Sequence, residues 1–145
     1  TLKRGECNHE RFCQGVLKVR EATIRGRLYE LPYGFPALVV PDEGILATGT
    51  TNYLADAEEQ QHVLLGSRGP STRWDTVHGE LMIFDDPEER LPALDALEGY
   101  VPGEEGLYER VLVPVEVADE SVLAWTYRIM RITGVYLSGG DWPAE

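Results

Sequence analysis

Residues 108–117 alternate between apolar and mixed side chains, and this two-residue period is the strongest constraint on the fold. One face of the stretch carries four valines, Val111, Val113, Val115 and Val117, and the other carries Arg110, Leu112, Pro114 and Glu116. Successive side chains of a strand point to opposite faces, so the pattern predicts a β-strand with one face on a core. Because Pro114 has no N–H to donate, we expect it at a sheet edge or a bulge.

Further strands are predicted at residues 23–29, 37–40, 77–84 and 122–129, which are short and rich in apolar and β-branched residues. Two of these strands place a glycine, Gly26 or Gly79, two residues before a leucine. Glycine inside a strand marks a bend or a close approach of another backbone. We therefore predict an α+β fold: a small, strongly curved, mainly antiparallel sheet or barrel with one or two packed helices.

A short helix is predicted at residues 86–100. Asp86 suits the N-cap, Pro87 suits the first helical position, and Glu89 completes a capping box with Asp86. Gly99 can adopt the left-handed conformation that ends a helix. These signals place the last helical turn immediately before Gly99.

Glu98 lies in that last turn, and its helical phase makes it unusual. The apolar stripe of the helix consists of Leu91, Leu94 and Leu97, and Glu98 projects with this stripe toward the core. Burial and the negative end of the helix dipole both raise the pKa of a carboxyl group, as a general base working near neutral pH requires. The alternative is a structural glutamate at the end of the stripe that reaches solvent or pairs with an arginine.

Composition and charge limit the classes of partner. The chain has 145 residues, which suits one domain spanning 1–145, and residues 44–75 have the turn-rich character of an insertion or long loop. With 13 Lys+Arg against 25 Asp+Glu, the net charge of −12 argues against nucleic acid or an anionic membrane surface as partner. No apolar run is long enough for a transmembrane helix, and the first residues do not resemble a signal peptide, so we expect a cytoplasmic protein.

Cysteine and histidine spacing predicts no metal site. Cys7 and Cys13 match neither a C-x-x-C motif nor a zinc knuckle, and we expect both to be reduced thiols. His9, His62 and His78 are far apart in sequence and form no ligand motif, although residues distant in sequence can converge in a fold.

Several motifs occur in a fixed order along almost the whole chain: Thr1-Leu2-Lys3-Arg4-Gly5, Gly34-Phe35-Pro36-Ala37-Leu38, Gly79-Glu80-Leu81, Leu94-Asp95-x-x-Glu98-Gly99-Tyr100, Tyr108-Glu109-Arg110, and Ser138-Gly139-Gly140-Asp141-Trp142. This ordered set resembles the γ-glutamylcyclotransferase superfamily, and within it the γ-glutamylaminecyclotransferases and the cyclotransferase of butirosin biosynthesis. The signature of that family opens with Tyr-Gly-Ser/Thr-Leu. Here only Thr1 and Leu2 of this signature are present. We therefore expect that the Tyr-Gly pair, and the strand that precedes it in the family, are absent from this sequence.

The resemblance implies a cyclotransferase that needs no cofactor and acts on a small γ-glutamyl substrate. The α-amine of the substrate attacks its own γ-carbonyl, and the products are 5-oxoproline and a free amine or amino acid. Glu98 matches the catalytic base of the family. Thr1 and Leu2 match the loop whose backbone N–H groups hold the glutamyl moiety. Tyr108 matches a tyrosine before the next strand, which either lines the pocket or only packs at the strand start with its hydroxyl hydrogen-bonded.

Two further aromatic residues are candidates for the border of the site. Tyr33 and Phe35 lie on a turn-rich stretch, where they either contact substrate or simply anchor a hairpin turn. Asp95, three residues before Glu98, is expected to cap, to pair with an arginine, or to orient a neighbour. The runner-up function is a non-catalytic small-molecule or protein-binding module on the same fold. The identity of the leaving amine stays open, and the protein is expected to be a monomer or homodimer.

Overall fold

The computed structural model describes residues 2–62 and 73–143, and within them the chain forms three α-helices and seven β-strands. In chain order the elements are α1 (Cys7–Phe12), β1 (Lys18–Glu30), β2 (Pro36–Val39), a 3₁₀ turn (Asp42–Gly44), β3 (Ala47–Thr48), α2 (Tyr53–His62), β4 (Asp75–Ile83), α3 (Pro87–Glu98), β5 (Tyr108–Val117), β6 (Glu120–Ile129) and β7 (Val135–Leu137). The strands form one sheet.

Strand β1 organises this sheet because it pairs with four other strands. Its first part pairs with β4 from Lys18 to Gly26, and Thr23 also pairs with Glu116 of β5. Its last residues pair with β2 on one edge and with β7 on the other. All of these pairings are antiparallel, and the predicted α+β class with a mainly antiparallel sheet is confirmed.

Gly26 lies where β1 changes partners from β4 to β2. A Cβ atom at this position would lie 2.5 Å from the carbonyl oxygen of Val39, so only glycine allows the two backbones to approach this closely. The approach predicted for a glycine within a strand is therefore found at Gly26. It is not found at Gly79, which pairs with Ala22 in regular register and has nothing within 4 Å of an added Cβ.

The core lies against the β5–β6 hairpin. The two strands pair along their full length, from Tyr108↔Ile129 to Val117↔Glu120. The valine face of β5 is buried as predicted, and it packs with Val40 and Ala124. A second buried cluster, formed by Leu31, Ala37 and Ile129, contacts Tyr108 at the start of β5.

Pro114 was predicted at a sheet edge or a bulge. The strand that contains it, β5, has neighbours on both sides. Pro114 is opposite Leu123 of β6. On the other side it falls between Leu112, which pairs with β3, and Glu116, which pairs with β1. This gap in the pairing tolerates a residue that has no N–H to donate.

Helix α3 has the predicted end but not the predicted start. Gly99 is left-handed at φ 66°, as expected for the C-terminal residue of the motif. Asp86 occupies the N-cap position, but its side chain does not cap the helix, so the predicted capping box is wrong. The carboxylate of Asp86 instead accepts from Nε and Nη2 of Arg90, at 3.1 and 2.9 Å. The charged guanidinium donates two hydrogen bonds to the Asp86 carboxylate, and such bonds are stronger than those from the neutral backbone N–H groups of the helix.

The segment 44–75 was predicted as an insertion or long loop. Its described part contains β3 and α2, and α2 packs against α3 and β6. Residues 63–72 of this predicted segment lie outside the described residues. None of the helices in the described ranges is long and apolar enough to cross a membrane.

Substituting the two mid-strand glycines with alanine tests this account of the sheet. We expect G26A to lower the free energy of unfolding by about 1–3 kcal/mol, because its methyl group must displace backbone. The matched control G79A adds a methyl group into open space and should leave stability unchanged or raise it by up to about 1 kcal/mol. Urea unfolding measures both, and equal effects would contradict the close-approach argument.

Candidate active site

Glu98 is the last residue of α3, and its side chain is half-buried. The leucines of the predicted stripe are buried or partly buried on the same helix. Burial raises the pKa of Glu98 above its ordinary value of 4.5. The group therefore combines partial access with a stronger basicity than a solvated carboxylate has.

Tyr108 lies within the electrostatic reach of Glu98. It is the first residue of β5, its side chain is half-buried, and it packs against the cluster that contains Leu31 and Ile129. Burial and, second, the negative charge of Glu98 raise the pKa of Tyr108. The phenol therefore stays protonated at neutral pH and can donate a hydrogen bond near the carboxylate.

Tyr33 and Phe35 lie in the β1–β2 turn. The turn is closed by bonds from the Leu31 N–H to the Phe35 carbonyl and from the Gly34 N–H to the Leu31 carbonyl, both 2.8 Å. Tyr33 is 85% exposed and Phe35 is 50% exposed. Leu31, at the base of the turn, belongs to the cluster against which Tyr108 packs. The turn therefore borders the Tyr108 side of the molecule, with both aromatic rings open to solvent.

The other predicted binding residues are at the start of the chain. Thr1 lies outside the described residues. Leu2 is half-buried, and its carbonyl oxygen is 3.0 Å from Nδ1 of His9 on α1. The adjoining segment is tied to β4, because the backbone N–H and Nε of Arg4 both donate to the Glu80 carboxylate, at 2.9 and 2.6 Å.

Arg110 is the residue that sequence reasoning did not single out. It lies on the face of β5 opposite the valines and is completely buried. Its Nε and Nη2 donate to Asp95 at 2.8 and 3.3 Å, and Nη2 is 3.0 Å from the Asp56 carboxylate. A charge this deeply buried is tolerated only when it is paired and hydrogen-bonded. Asp95 therefore pairs with an arginine, one of the roles expected for it.

These charges belong to a larger network, here called the Arg110 cluster: Asp56, Asp95, Arg110 and Tyr127. The Tyr127 hydroxyl donates to Asp95 at 2.5 Å. Asp56 accepts from the backbone N–H and the hydroxyl of Thr50, both at 2.8 Å. The cluster joins α2, α3, β5 and β6 through side chains alone.

Aromatic rings border the guanidinium of Arg110. Its Cζ lies 4.9 Å from the ring centroid of Trp125, 5.6 Å from that of Tyr53 and 6.0 Å from that of Tyr100. Among the described residues, Nη1 of Arg110 is the buried side-chain polar atom that has no hydrogen-bond partner. The negative faces of aromatic rings offset part of the cost of leaving that donor unpaired.

Two members of the cluster, Arg110 and Tyr127, have raised pKa values. Burial on its own lowers the pKa of Arg110, but the bond to Asp95 outweighs it and the net shift is upward. Burial and the hydrogen bond to Asp95 raise the pKa of Tyr127, and the charge of Glu98 adds to this shift. Tyr127 is therefore a permanent donor to Asp95, in the field of Glu98.

A weak sequence signal for this cluster existed. Asp95 flanks the apolar stripe of α3, a position that the helical pattern places near the core, whereas Arg110 lies on the face of its strand opposite the valines, which the alternation does not mark as core. Neither position identifies the other, because the partners come from separate elements. Asp56, on α2, carried no signal of burial at all.

In residues 2–62 and 73–143, no group of three or more His, Cys, Asp or Glu is placed to hold a metal ion. Both cysteines are free thiols, Cys7 exposed and Cys13 buried.

Comparison with known families assigns the chain. The family model described as "Gamma-glutamyl cyclotransferase, AIG2-like" matches residues 1–64 and 63–144, nearly the whole length. The chain belongs to this family. The resemblance predicted from the ordered motifs is thereby confirmed at the level of the family.

A solved structure supports the fold of this gamma-glutamyl cyclotransferase family member. The crystal structure of YkqA from Bacillus subtilis matches with a TM-score of 0.57 at 20% identity. The match covers 98% of this chain but 36% of YkqA, so the chain spans about a third of that protein's length. No curated protein matches the sequence. At this identity the likeness concerns the fold alone.

Substituting the buried arginine tests the energetic role of the Arg110 cluster. R110M leaves two buried carboxylates without a cation, and we expect the free energy of unfolding to fall by about 3–5 kcal/mol or more. The matched control is R128M, because Arg128 also pairs with two carboxylates, those of Asp42 and Glu109, but is 19% exposed. R128M should cost about 1 kcal/mol or less. Chemical denaturation that gave equal losses would contradict the assignment.

Proposed function

We propose that this protein is a γ-glutamyl cyclotransferase that releases 5-oxoproline from a γ-glutamyl amine or γ-glutamyl amino acid. Family membership supports the class of reaction. The observation that carries the proposal for this chain is Glu98, a half-buried carboxyl group with a raised pKa at the end of α3. Its position agrees with the catalytic base of the motif that the sequence resembles.

The proposed reaction needs no external nucleophile. The α-ammonium of the substrate loses a proton to Glu98, and the freed amine attacks the γ-carbonyl carbon of the same molecule. A C–N bond forms, which closes a five-membered ring and places negative charge on the carbonyl oxygen. When the oxygen returns its electrons, the bond to the leaving nitrogen breaks, and protonated Glu98 gives its proton to the departing amine. The ring nitrogen, which the attack leaves with two protons and a positive charge, then loses one of them to the released amine, which departs as an ammonium ion. Nucleophile and electrophile are already joined, so proximity contributes much of the rate.

Partial burial suits Glu98 to both proton transfers. A carboxylate with an ordinary pKa is a weak base toward an ammonium group. A raised pKa of the carboxyl group reduces the difference in pKa between the ammonium donor and the carboxylate acceptor. The same raised pKa makes the protonated form persist long enough to act as an acid in the second half of the reaction. One residue thus serves as base and then as acid.

The residues proposed to bind substrate are Tyr108, Thr1, Leu2, Tyr33 and Phe35. We propose that Tyr108 donates a hydrogen bond to the glutamyl moiety, which is supported by its raised pKa and by the electrostatic influence of Glu98 on it. The backbone N–H groups of Thr1 and Leu2 are proposed to hold the glutamyl moiety and the developing oxyanion. The exposed rings of Tyr33 and Phe35 are proposed to border the outer part of the pocket, where the leaving amine would lie.

Replacing Glu98 with glutamine tests the base directly. We expect E98Q to abolish release of 5-oxoproline from γ-glutamyl-ε-lysine, γ-glutamylalanine and a γ-glutamyl polyamine, because an amide cannot accept the ammonium proton. E89Q is the matched control, since Glu89 is on the same helix but exposed, and it should keep wild-type turnover.

The fold of E98Q should be intact. Burial raises the pKa of Glu98, so folding disfavours its ionised form, and this cost grows as the pH rises through the folded-state pKa. Glutamine removes the cost, and the thermal midpoint at neutral pH should be equal to or above that of the wild type. An active E98Q would refute the mechanism. No product from a folded wild-type protein would favour the binding-module function.

The pH dependence of turnover provides an independent test. Only ionised Glu98 accepts a proton, so kcat/KM should fall as the pH drops through the pKa of Glu98, and this pKa is raised by burial. We expect the midpoint of the acidic limb to lie above 4.5, the ordinary value for a glutamate. E89Q should show the same limb. A profile that stays flat down to the ordinary value would argue against a buried base.

A further inference from the structure

The Arg110 cluster holds α3 one turn before the proposed base. Asp95 and Glu98 are three residues apart on the helix and therefore neighbours on its surface. The Asp95 carboxylate is bonded to Arg110 of β5 and to Tyr127 of β6. The last turn of α3 is thus anchored to two strands of the sheet.

The backbone around Glu98 is fixed at three points. The Asp95 side chain is the first. The second is the end of the helix, where the Tyr100 N–H donates to the Asp95 carbonyl at 2.8 Å and Gly99 is left-handed. The third is the Tyr100 hydroxyl, which donates to the carbonyl of Gly49 at 2.8 Å. Residues 95–100 therefore form a short arc tied down at both ends, with Glu98 between the ties.

An arc anchored in this way counters the usual tendency of a helix end to fray. The last carbonyl groups of a helix lack intrahelical partners, and the final turn loosens unless other groups hold it. Asp95 and Tyr100 supply those holds on either side of Glu98. These holds act on the backbone and on the neighbouring side chains, and Glu98 itself is half-buried between them.

We propose that the Arg110 cluster positions Glu98, and that Tyr127 and Asp95 are positioning residues for the proposed reaction. The proposal rests on the proposed function, because it assigns the cluster a role in the work of Glu98. Tyr127 is the sensitive member. Its hydroxyl is the donor to Asp95 from β6, and its loss leaves the Arg110–Asp95 ion pair in place.

The consequence for the reaction is a loss of alignment without a loss of binding. The carboxylate must lie within hydrogen-bond distance of the ammonium proton, and a shift of about 1 Å can reduce a rate by roughly 100-fold. If the final turn loosens, water also reaches Glu98. The charge of Glu98 raises the pKa of two phenols on neighbouring strands, Tyr108 of β5 and Tyr127 of β6. Asp95 is the acidic residue one turn before Glu98 on its own helix.

The experiment compares two Tyr→Phe variants of the full protein. Y127F removes the hydroxyl that donates to Asp95 and keeps the ring, which packs edge-on against Tyr100. Y136F is the matched control, because Tyr136 of β7 also donates to an aspartate, Asp75, but on an exposed part of the sheet. Each variant is assayed for kcat and KM, and the Glu98 carboxyl is titrated by ¹³C NMR, with E98Q used for assignment.

We expect Y127F to lower kcat about tenfold or more with little change in KM. We also expect it to move the titration midpoint of Glu98 down toward 4.5 as water reaches the carboxyl. Y136F should change neither quantity. If Y127F does not fold, Y100F removes the third tie of the same arc and should show the same pattern.

Distinct outcomes separate this proposal from the proposed function. An active wild type, an inactive E98Q and a Y127F that matches the wild type in kcat and in Glu98 titration would overturn the positioning role alone. A raised KM at unchanged kcat would make Tyr127 a binding group instead. A folded wild type that forms no 5-oxoproline would overturn the proposed function. An unchanged Glu98 titration in Y127F would then overturn the structural part of this inference as well.

Discussion

The buried guanidinium of Arg110 is the interaction on which the arrangement of the helices depends. A completely desolvated cation is costly unless carboxylates and aromatic rings surround it, and here the carboxylates come from α2 and α3. Both helices must therefore dock on the same face of β5 for the charge to be compensated. Hydrophobic packing alone would let them slide, whereas paired charges in a dry interior accept few alternative positions. The position of α2 and α3 is thus specified by a polar centre within an apolar sheet.

The proposed base lies at the margin of this rigid centre. Glu98 lies about one turn from Asp95, so it shares the anchoring of that residue. It lies outside the Arg110 cluster, and no arginine among the described residues contributes to its pKa. Rigid elements hold functional groups more accurately than loops do. The molecule thus separates two uses of acidic residues: Asp56 and Asp95 pair with a buried cation, while burial is the main influence on the pKa of Glu98.

Local signals predicted much of the fold and the proposed base. The valine face of β5, the end of α3 at Gly99 and the helical phase of Glu98 depend on neighbours within a few residues, which a sequence displays directly. The Arg110 cluster could not be predicted, because Asp56, Asp95 and Tyr127 reach Arg110 from three other elements. The predicted capping box at Asp86 does not form, because the Asp86 carboxylate accepts from the charged Arg90 side chain instead. Gly79 fits the same pattern of a glycine within a strand as Gly26, but of the two only Gly26 has another backbone in close approach.

The pairing of β1 also sets the order in which the sheet can be completed. Its last residues are flanked on one edge by β2, a few residues later in the chain, and on the other by β7, about a hundred residues later. During synthesis the first edge can therefore pair early, whereas the second can pair only after about a hundred more residues have been made. The β5–β6 hairpin, in contrast, closes across a very short connection. The nascent protein must therefore keep an unpaired edge of β1 from other strands until its distant partner has been made.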